Sequence, residues 1–324
     1  MTGRPLAPQF ERTRPWAFVM ATISPNKRRR TRGWLGIALA FGIALAWQRD
    51  ASSDAPATAF AAPTRQAGGH ALRLAFDDEF DRLNLRRGGE GVWTTSYGYQ
   101  GIDNFTLTHN RELQVYVDPA FQGAGAAPLR LQPFRVANGV LDIIADRVPQ
   151  AMRRSTWGYR YFSGLLTTRQ SFSQQYGYFE IRARFPATSG AWPAFWLLRA
   201  NGVWPPELDV FEYLGRDPNV FWAGFHTTAP GYATTPVTQR VSIAGAPEQF
   251  HTYGLLWDRD AVVWYLDGVE VRRIPTPGDM HAPMYLLVNL AIGGGGWSGA
   301  PNLFTRLPMH MSVDYVRAYA LQPP

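Results

Sequence analysis

From His70 onward, apolar and polar residues alternate with the period of two that marks strands, and no segment holds a convincing 3.6-residue period. Helix is therefore a minor component at most. Tyr178, Glu180, Arg182 and Arg184 interleave with Phe179, Ile181, Ala183 and Phe185, the pattern of a strand with one apolar face. The runs Ala261 to Leu266 and Val269 to Arg272 flank Asp267-Gly268, a two-residue turn that predicts a type I′ hairpin. Further strand-like runs lie at Leu113 to Val117, Val140 to Ala145, Phe221 to Thr227, Met284 to Ile292 and Ser312 to Tyr319. Short strands separated by Gly and Pro predict an all-β sandwich of two packed antiparallel sheets. There is no internal repeat.

Length fits this picture, since 324 residues with 46% hydrophobic content can bury a sizeable core as one main domain. Charge changes it only at the N-terminus. Residues 1–32 carry eight Lys and Arg against Glu11 alone, a net +7 that equals the formal charge of the whole chain. Everything after residue 32 is thus neutral overall, and the chain gives no sign of nucleic-acid binding. Behind the basic block runs an apolar stretch from Trp34 to Trp47, shorter than a membrane span. That order reads as an export signal over residues 1–49, with Ala59-Phe60-Ala61 as an A-x-A processing site. Met20 is a second plausible start, and an uncleaved signal anchor is the alternative, giving a membrane attachment through this segment alone. Residues 50–70, rich in Ala, Ser, Pro and Gly, read as a linker, leaving residues 71–324 as the main domain. Cysteine is absent, so the fold relies on its core rather than on disulfides.

Candidate chemistry concentrates in Glu207-Leu208-Asp209-Val210-Phe211-Glu212. In a flat strand Glu207 and Asp209 share one face and Glu212 takes the other. One extra residue between Asp209 and Glu212, a β-bulge, returns all three to the same face. The outer Cα atoms then stand roughly 13 Å apart at about 3.3 Å per residue, and their side chains can lean together. Two carboxyl groups about 5 to 5.5 Å apart suit a retaining glycosidase, one to attack the anomeric carbon and one to protonate the leaving oxygen. Tryptophan is abundant around them. Trp192, Trp196 and Trp204 lie within twenty residues of the trio and suit sugar platforms, because an indole offers an apolar face and one N–H donor. Trp257 and Trp264, embedded in alternating strands, read as core.

Tyr176-Gly177-Tyr178-Phe179-Glu180-Ile181-Arg182, Trp192-Pro193-Ala194-Phe195-Trp196 and the spaced acids Glu207, Asp209 and Glu212 together resemble glycoside hydrolase family 16. The similarity runs from about Phe76 to Arg317. It implies a β-jelly-roll sandwich with a substrate cleft across its concave face, and a secreted or periplasmic endo-β-glycanase that acts on a polysaccharide. The resemblance also assigns Glu207 as nucleophile, Glu212 as acid/base and Asp209 as the carboxylate assisting between them. Asn110, Trp192, Trp196, His226, Asn289 and Trp297 would contact substrate, the last beside Gly293-Gly294-Gly295-Gly296. No cofactor is required, although some members hold a structural calcium at the places occupied here by Glu79 and Asp314. A monomer is expected. One departure bears on substrate: laminarin-cleaving relatives often carry arginine after the Ser-Gly matching Ser163-Gly164, where this chain has Leu165. The Trp-Pro-Pro lead into Glu207 looks more like bacterial glycanases of exopolysaccharide. A transglycosylase and a non-catalytic carbohydrate-binding protein are the alternatives on the same scaffold.

Overall fold

A computed structural model describes residues 66–232 and 236–322. Two stacked sheets account for nearly all of it. The smaller has six antiparallel strands in the order Val237–Ser242, Val220–His226, Glu207–Tyr213, Ala191–Arg199, Met284–Ile292 and Leu165–Thr167. The larger runs from Val269–Pro275 through Ala261–Leu266, His251–Trp257, Gly177–Arg184, Met309–Leu321, Val140–Arg147 and Tyr161–Ser163 to Gln114–Tyr116, with shorter strands alongside. The last two of these pair in parallel, an exception to the antiparallel arrangement expected. Single 3₁₀ turns at Gly101–Asn104, Thr108–Asn110 and Gln150–Met152 are the helical elements among the described residues.

The core forms where the apolar faces meet. Phe179, Ile181 and Ala183 from the larger sheet and Phe195, Leu197, Leu208, Phe211, Leu286 and Val288 from the smaller are completely buried together. Filling such positions contributes about 1.5–3 kcal/mol per large side chain. The strand Gly177–Arg184 departs from its expected single apolar face, because its first half is buried on both sides. Tyr178 on the outer side joins a second cluster with Leu72, Leu256, Val263 and Tyr319. The hairpin turn is as expected, with Asp267 at φ 49° and Gly268 at φ 80°, the two positive values that a type I′ turn requires.

Met284–Ile292 has no exposed residue. Its even-numbered side chains enter the core, and Tyr285, Leu287 and Ala291 lie on the opposite face with Trp196, Leu198 and Leu165. That second apolar layer underlies the cleft. At the N-terminal side, strand structure begins earlier than the boundary expected at residue 71: Gln66–Ala67 already pairs with His70 and Ala71. A turn at Gly68-Gly69 closes this small hairpin, which the Gly-rich composition had suggested as linker. The export signal, the A-x-A site and Met20 lie outside the described residues.

Candidate active site

The strand Glu207–Tyr213 lies between Ala191–Arg199 and Val220–His226 and carries the bulge that the spacing of its acids requires. Opposite Val220–His226, Asp209 faces Gly224 and Glu212 faces Trp222, three steps against two. Opposite Ala191–Arg199, Asp209 faces Trp196 and Phe211 faces Phe195, two steps against one. Leu208, Val210, Phe211 and Tyr213 are consequently buried in the core, and Glu207, Asp209 and Glu212 all line one cavity of about 840 Å³.

Each outer carboxylate receives an indole N–H. Trp204 Nε1 donates to Glu207 Oε2 at 2.6 Å, and Trp192 Nε1 donates to Glu212 Oε1 at 3.0 Å. His226 Nε2 stands 3.9 Å from Glu207 Oε1, with its ring tilted against Trp204. Asp209 is almost fully buried between them. Its cross-strand partner has to be small: a Cβ on Gly224 would lie 3.0 Å from Asp209 Oδ2. Trp264 Nε1 reaches through the core to hold the Asp209 carbonyl at 2.8 Å.

Burial and mutual repulsion raise the proton affinity of the whole group. Glu207 is pushed well above the usual carboxylate range, first by burial and then by the charge of Asp209, against the opposing Trp204 hydrogen bond. Glu212 is pushed well up for the same two reasons, with Trp192 opposing. Asp209 is raised by burial too, but His226, a hydrogen bond with Glu207 and the charge of Arg272 all favour its anion. Three acids so close titrate as a unit, and burial raises the proton affinity of each.

Arg272 is a buried cation that the sequence did not single out. It rises from the larger sheet and donates from Nη1 to the carbonyls of Ala223 at 2.5 Å and Val237 at 3.1 Å, both in the smaller sheet. The guanidinium packs 4.9 Å from the Trp264 ring centroid and 5.1 Å from that of Phe225. Arginine keeps its charge and stacks on aromatic faces, so it suits this place better than lysine would.

The other expected site residues separate into walls and supports. Trp297 is 40% exposed and stands edge-on to both Trp192 and Trp222 at the rim. Asn110 ends the 3₁₀ turn Thr108–Asn110 and lines the cavity. Tyr99, outside the expected substrate contacts, and Trp204, expected as a sugar platform, are exposed aromatics on the same cavity. Asn289 and Trp196 also line it but are buried and bonded to protein. Trp196 Nε1 donates to Asn289 Oδ1 at 2.7 Å, and Asn289 Nδ2 donates to Tyr116 Oη at 3.0 Å. Leaving such a buried amide unpaired costs about 1–3 kcal/mol, which makes Asn289 a bracket for the floor rather than a free sugar contact. The glycine run is explained by the protein itself. A Cβ on Gly294 would lie 2.0 Å from the Arg111 carbonyl, so the close backbone approach is to the Asn110–Glu112 segment.

Glu112 is a second buried acid on the cavity wall, and its Oε2 accepts from Leu107 N at 2.8 Å and Gln114 Nε2 at 2.9 Å. Burial raises its pKa to about 7 against those hydrogen bonds. The folded state therefore binds a proton that the unfolded chain has lost above its ordinary value of 4.5, so this group's contribution is lost as pH rises through about 7. Glu112→Gln keeps the acceptor and cannot ionise. Its melting temperature relative to wild type is expected to climb between about pH 4.5 and pH 7 and to level off above. Parallel melting curves for the two proteins across that range would refute the assignment.

The calcium expectation fails on the donor set. Glu79 is held by both Nε and Nη2 of Arg317 at 2.7 and 2.8 Å, and Asp314 by Arg182 Nη1 at 2.5 Å. Each acid already has a guanidinium partner, which takes both oxygens of Glu79 and one of Asp314, so the pair is a poor calcium donor set. Among the described residues the one cluster of three metal-type ligands is Glu207, Asp209 and His226, with ligand atoms within 4.8 Å of one another. Burial raises the proton affinity of both carboxyls in that set, which suits acid–base chemistry.

Comparison with known proteins agrees with this geometry. Residues 132–317 match the profile of Glycosyl hydrolases family 16. The chain is 47% identical over 251 residues to the endo-1,3-1,4-beta-glycanase EglC of Rhizobium meliloti (strain 1021), covering 77% of this chain and 52% of that protein. It thus spans about half the length of that relative. A beta-glucanase of Rhodothermus marinus is 32% identical, with 74% of this chain and 88% of that protein covered. The catalytic domain of an endo-1,3-beta-glucanase (laminarinase) from Thermotoga petrophila RKU-1 superposes with a TM-score of 0.65 at 29% identity, over 78% of this chain and all of that one. The bulged acidic strand, the tryptophans that bind its carboxylates and these similarities lead to one assignment: the chain belongs to glycoside hydrolase family 16.

Proposed function

We propose that the protein is a secreted retaining endo-β-glycanase that hydrolyses internal β-glycosidic bonds of a β-1,3(4)-glucan or related exopolysaccharide. The observation that carries the reading is the bulge, which turns Glu207 and Glu212 to the same face with Asp209 between them. In the first step Glu207 attacks the anomeric carbon as the glycosidic C–O bond breaks, and Glu212 gives its proton to the leaving oxygen. In the second step Glu212 takes a proton from water, the water oxygen bonds to the anomeric carbon, and Glu207 departs. The raised proton affinity of Glu212 suits both halves. Glu207 must act as an anion although burial favours its acid form. Transfer of its proton to Asp209 supplies that anion, and the Trp204 N–H bond then steadies it.

Leu165 is buried beneath the cleft and paired with Asn289, which supports an apolar floor where laminarin-cleaving relatives often place an arginine. Substrate choice is read from reducing ends released from purified laminarin, mixed-linkage β-glucan, xyloglucan, agarose and a bacterial exopolysaccharide. Mixed-linkage glucan or the exopolysaccharide is expected to be cleaved fastest, with mid-chain products first. Products longer than the starting oligosaccharide would instead favour transglycosylation, and no release from any polymer would overturn the enzymatic reading.

Export rests on the basic block and the Trp34-to-Trp47 apolar run. Protein recovered outside the cytoplasm is expected to begin between about Ala51 and Ala62. N-terminal sequencing that finds an intact cytoplasmic chain would refute it.

A further inference from the structure

We infer that the protein carries a second glycan-binding site, outside the catalytic cleft, that takes a carboxylate-bearing stretch of polysaccharide at Trp157 and Arg160. The loop between residues 148 and 160 is closed at its base by a hydrogen bond from Val148 N to the Arg160 carbonyl at 2.8 Å. At its tip Trp157 stands 42% exposed with φ 52°, an unusual conformation for a bulky residue. The ring is held from behind, stacked on Phe105 at 5.7 Å and edge-on to Phe121 at 5.9 Å. A rigid indole with one free side is a ready stacking surface for a pyranose.

Beside it opens a cavity of about 480 Å³ lined by Leu113, Trp157, Gly158, Tyr159, Arg160 and Tyr161. Tyr159 and Tyr161 are partly exposed, and Arg160 is exposed. Charge narrows the ligand. Residues 147–160 hold Arg147, Arg153, Arg154 and Arg160, and no Asp or Glu occurs between Arg147 and Phe179. Of the acids that act on Tyr159, Glu112 is buried and Asp103 is bonded to Thr108, and Asp146, across from Phe162, accepts from the Arg147 backbone N–H. Arginine pairs with carboxylate in a planar two-bond geometry, so an acidic sugar fits where a neutral one would leave the guanidinium unused.

The cavity also continues an established surface. Asn110 and Glu112 line the catalytic cleft, and Leu113, the next residue, lines the second cavity. This inference rests on the endo-β-glycanase reading for the identity of the polymer, but its test uses no turnover.

The full chain carrying Glu207→Ala is equilibrated with insoluble particles of carboxymethylated β-1,3-glucan or of its uncharged hydroxyethylated counterpart, and depletion gives the apparent Kd. Tighter retention on the carboxymethylated polymer is expected, weakening as salt is added. Adding Arg154→Gln and Arg160→Gln should weaken that retention about tenfold, the equivalent of one charge-assisted hydrogen bond, and leave the uncharged polymer unaffected. Trp157→Ala should weaken both. Because Trp157 packs on Phe105 and Phe121 its loss can loosen the loop, whereas Arg154 and Arg160 are exposed and their variants keep the test decisive. Equal retention of the two polymers, or unchanged retention in the arginine variant, would overturn the second site. Failure of the endo-β-glycanase reading would show separately, as absence of reducing ends from every polymer offered to wild type.

Discussion

Replacing Glu207 with alanine is expected to lower turnover by on the order of 10⁴ to 10⁶-fold, the range in which single losses from a covalent catalytic unit fall. The proposed first step forms a bond from Glu207 to the anomeric carbon, and neither Asp209, behind it, nor Glu212, assigned to the leaving oxygen, replaces that bond. The strand itself should persist, because its core residues Leu208, Val210 and Phe211 are untouched. Alanine also removes a carboxyl that burial disfavours in its charged form, so the variant should melt no earlier than wild type. A small anion such as azide should enter the vacated space and attack the same carbon directly. The expected product is the α-glycosyl azide, one inversion from a β-linked substrate. Turnover at the wild-type rate in this variant would remove Glu207 from the mechanism.

Glu212→Ala is the second large effect, expected at about 10² to 10⁴-fold for ordinary glycosides. The loss should shrink markedly for aryl glycosides whose leaving groups need no proton, since only the acid's contribution to departure is then missing. Azide distinguishes the two variants. In the absence of Glu212 it intercepts a glycosyl-enzyme already formed on Glu207, so the product should be the β-azide. Wild type should likewise release the β-anomer first, because two inversions occur when the carboxyls stand about 5 Å apart. Proton NMR of freshly released sugar, recorded before mutarotation, decides this. An α-anomer appearing first would mean that water fits between the carboxyls, and the double displacement would have to be abandoned.

The acidic strand was legible because parity is strict in a sheet. An odd separation between Glu207 and Glu212 demands either opposite faces or a bulge, and only the bulge makes chemical sense. The sandwich was legible for a related reason, as Phe179, Ile181 and Ala183 announce their common face by spacing alone. Residues whose role depends on partners far along the chain were not legible. Glu79 and Asp314 look like free oxygen ligands until Arg317 and Arg182 are placed against them. Asn289 and Trp196 look like sugar contacts until each is found bonded to the other. Arg272 sits after Val271 in a strand that reads as plain alternation, but the ladder slips opposite Trp264 and Tyr265. That slip helps to turn a charged side chain inward, and nothing local signals it.

Glu112 was hidden differently. Nothing in the sequence around Asn110 marks the Glu112 carboxyl as buried, because charged residues are seldom buried without a partner ion. Here backbone and amide donors take the place of a cation.

Arg272 gives the molecule an unusual dependence of front upon back. A strand on the far sheet supplies a fixed positive charge that favours the anion of Asp209 in the near one, anchored on carbonyls of the two strands at that edge of the cleft. Among the described residues the guanidinium is thus one charge that reaches Asp209 through the sandwich. Substitutions on the outer face near Val271 or Arg273, remote from any sugar, would move that charge and so retune the acidity at which the cleft works. Variation in working pH among related chains can in this way arise on a surface that never meets substrate, leaving the walls that choose the polysaccharide untouched.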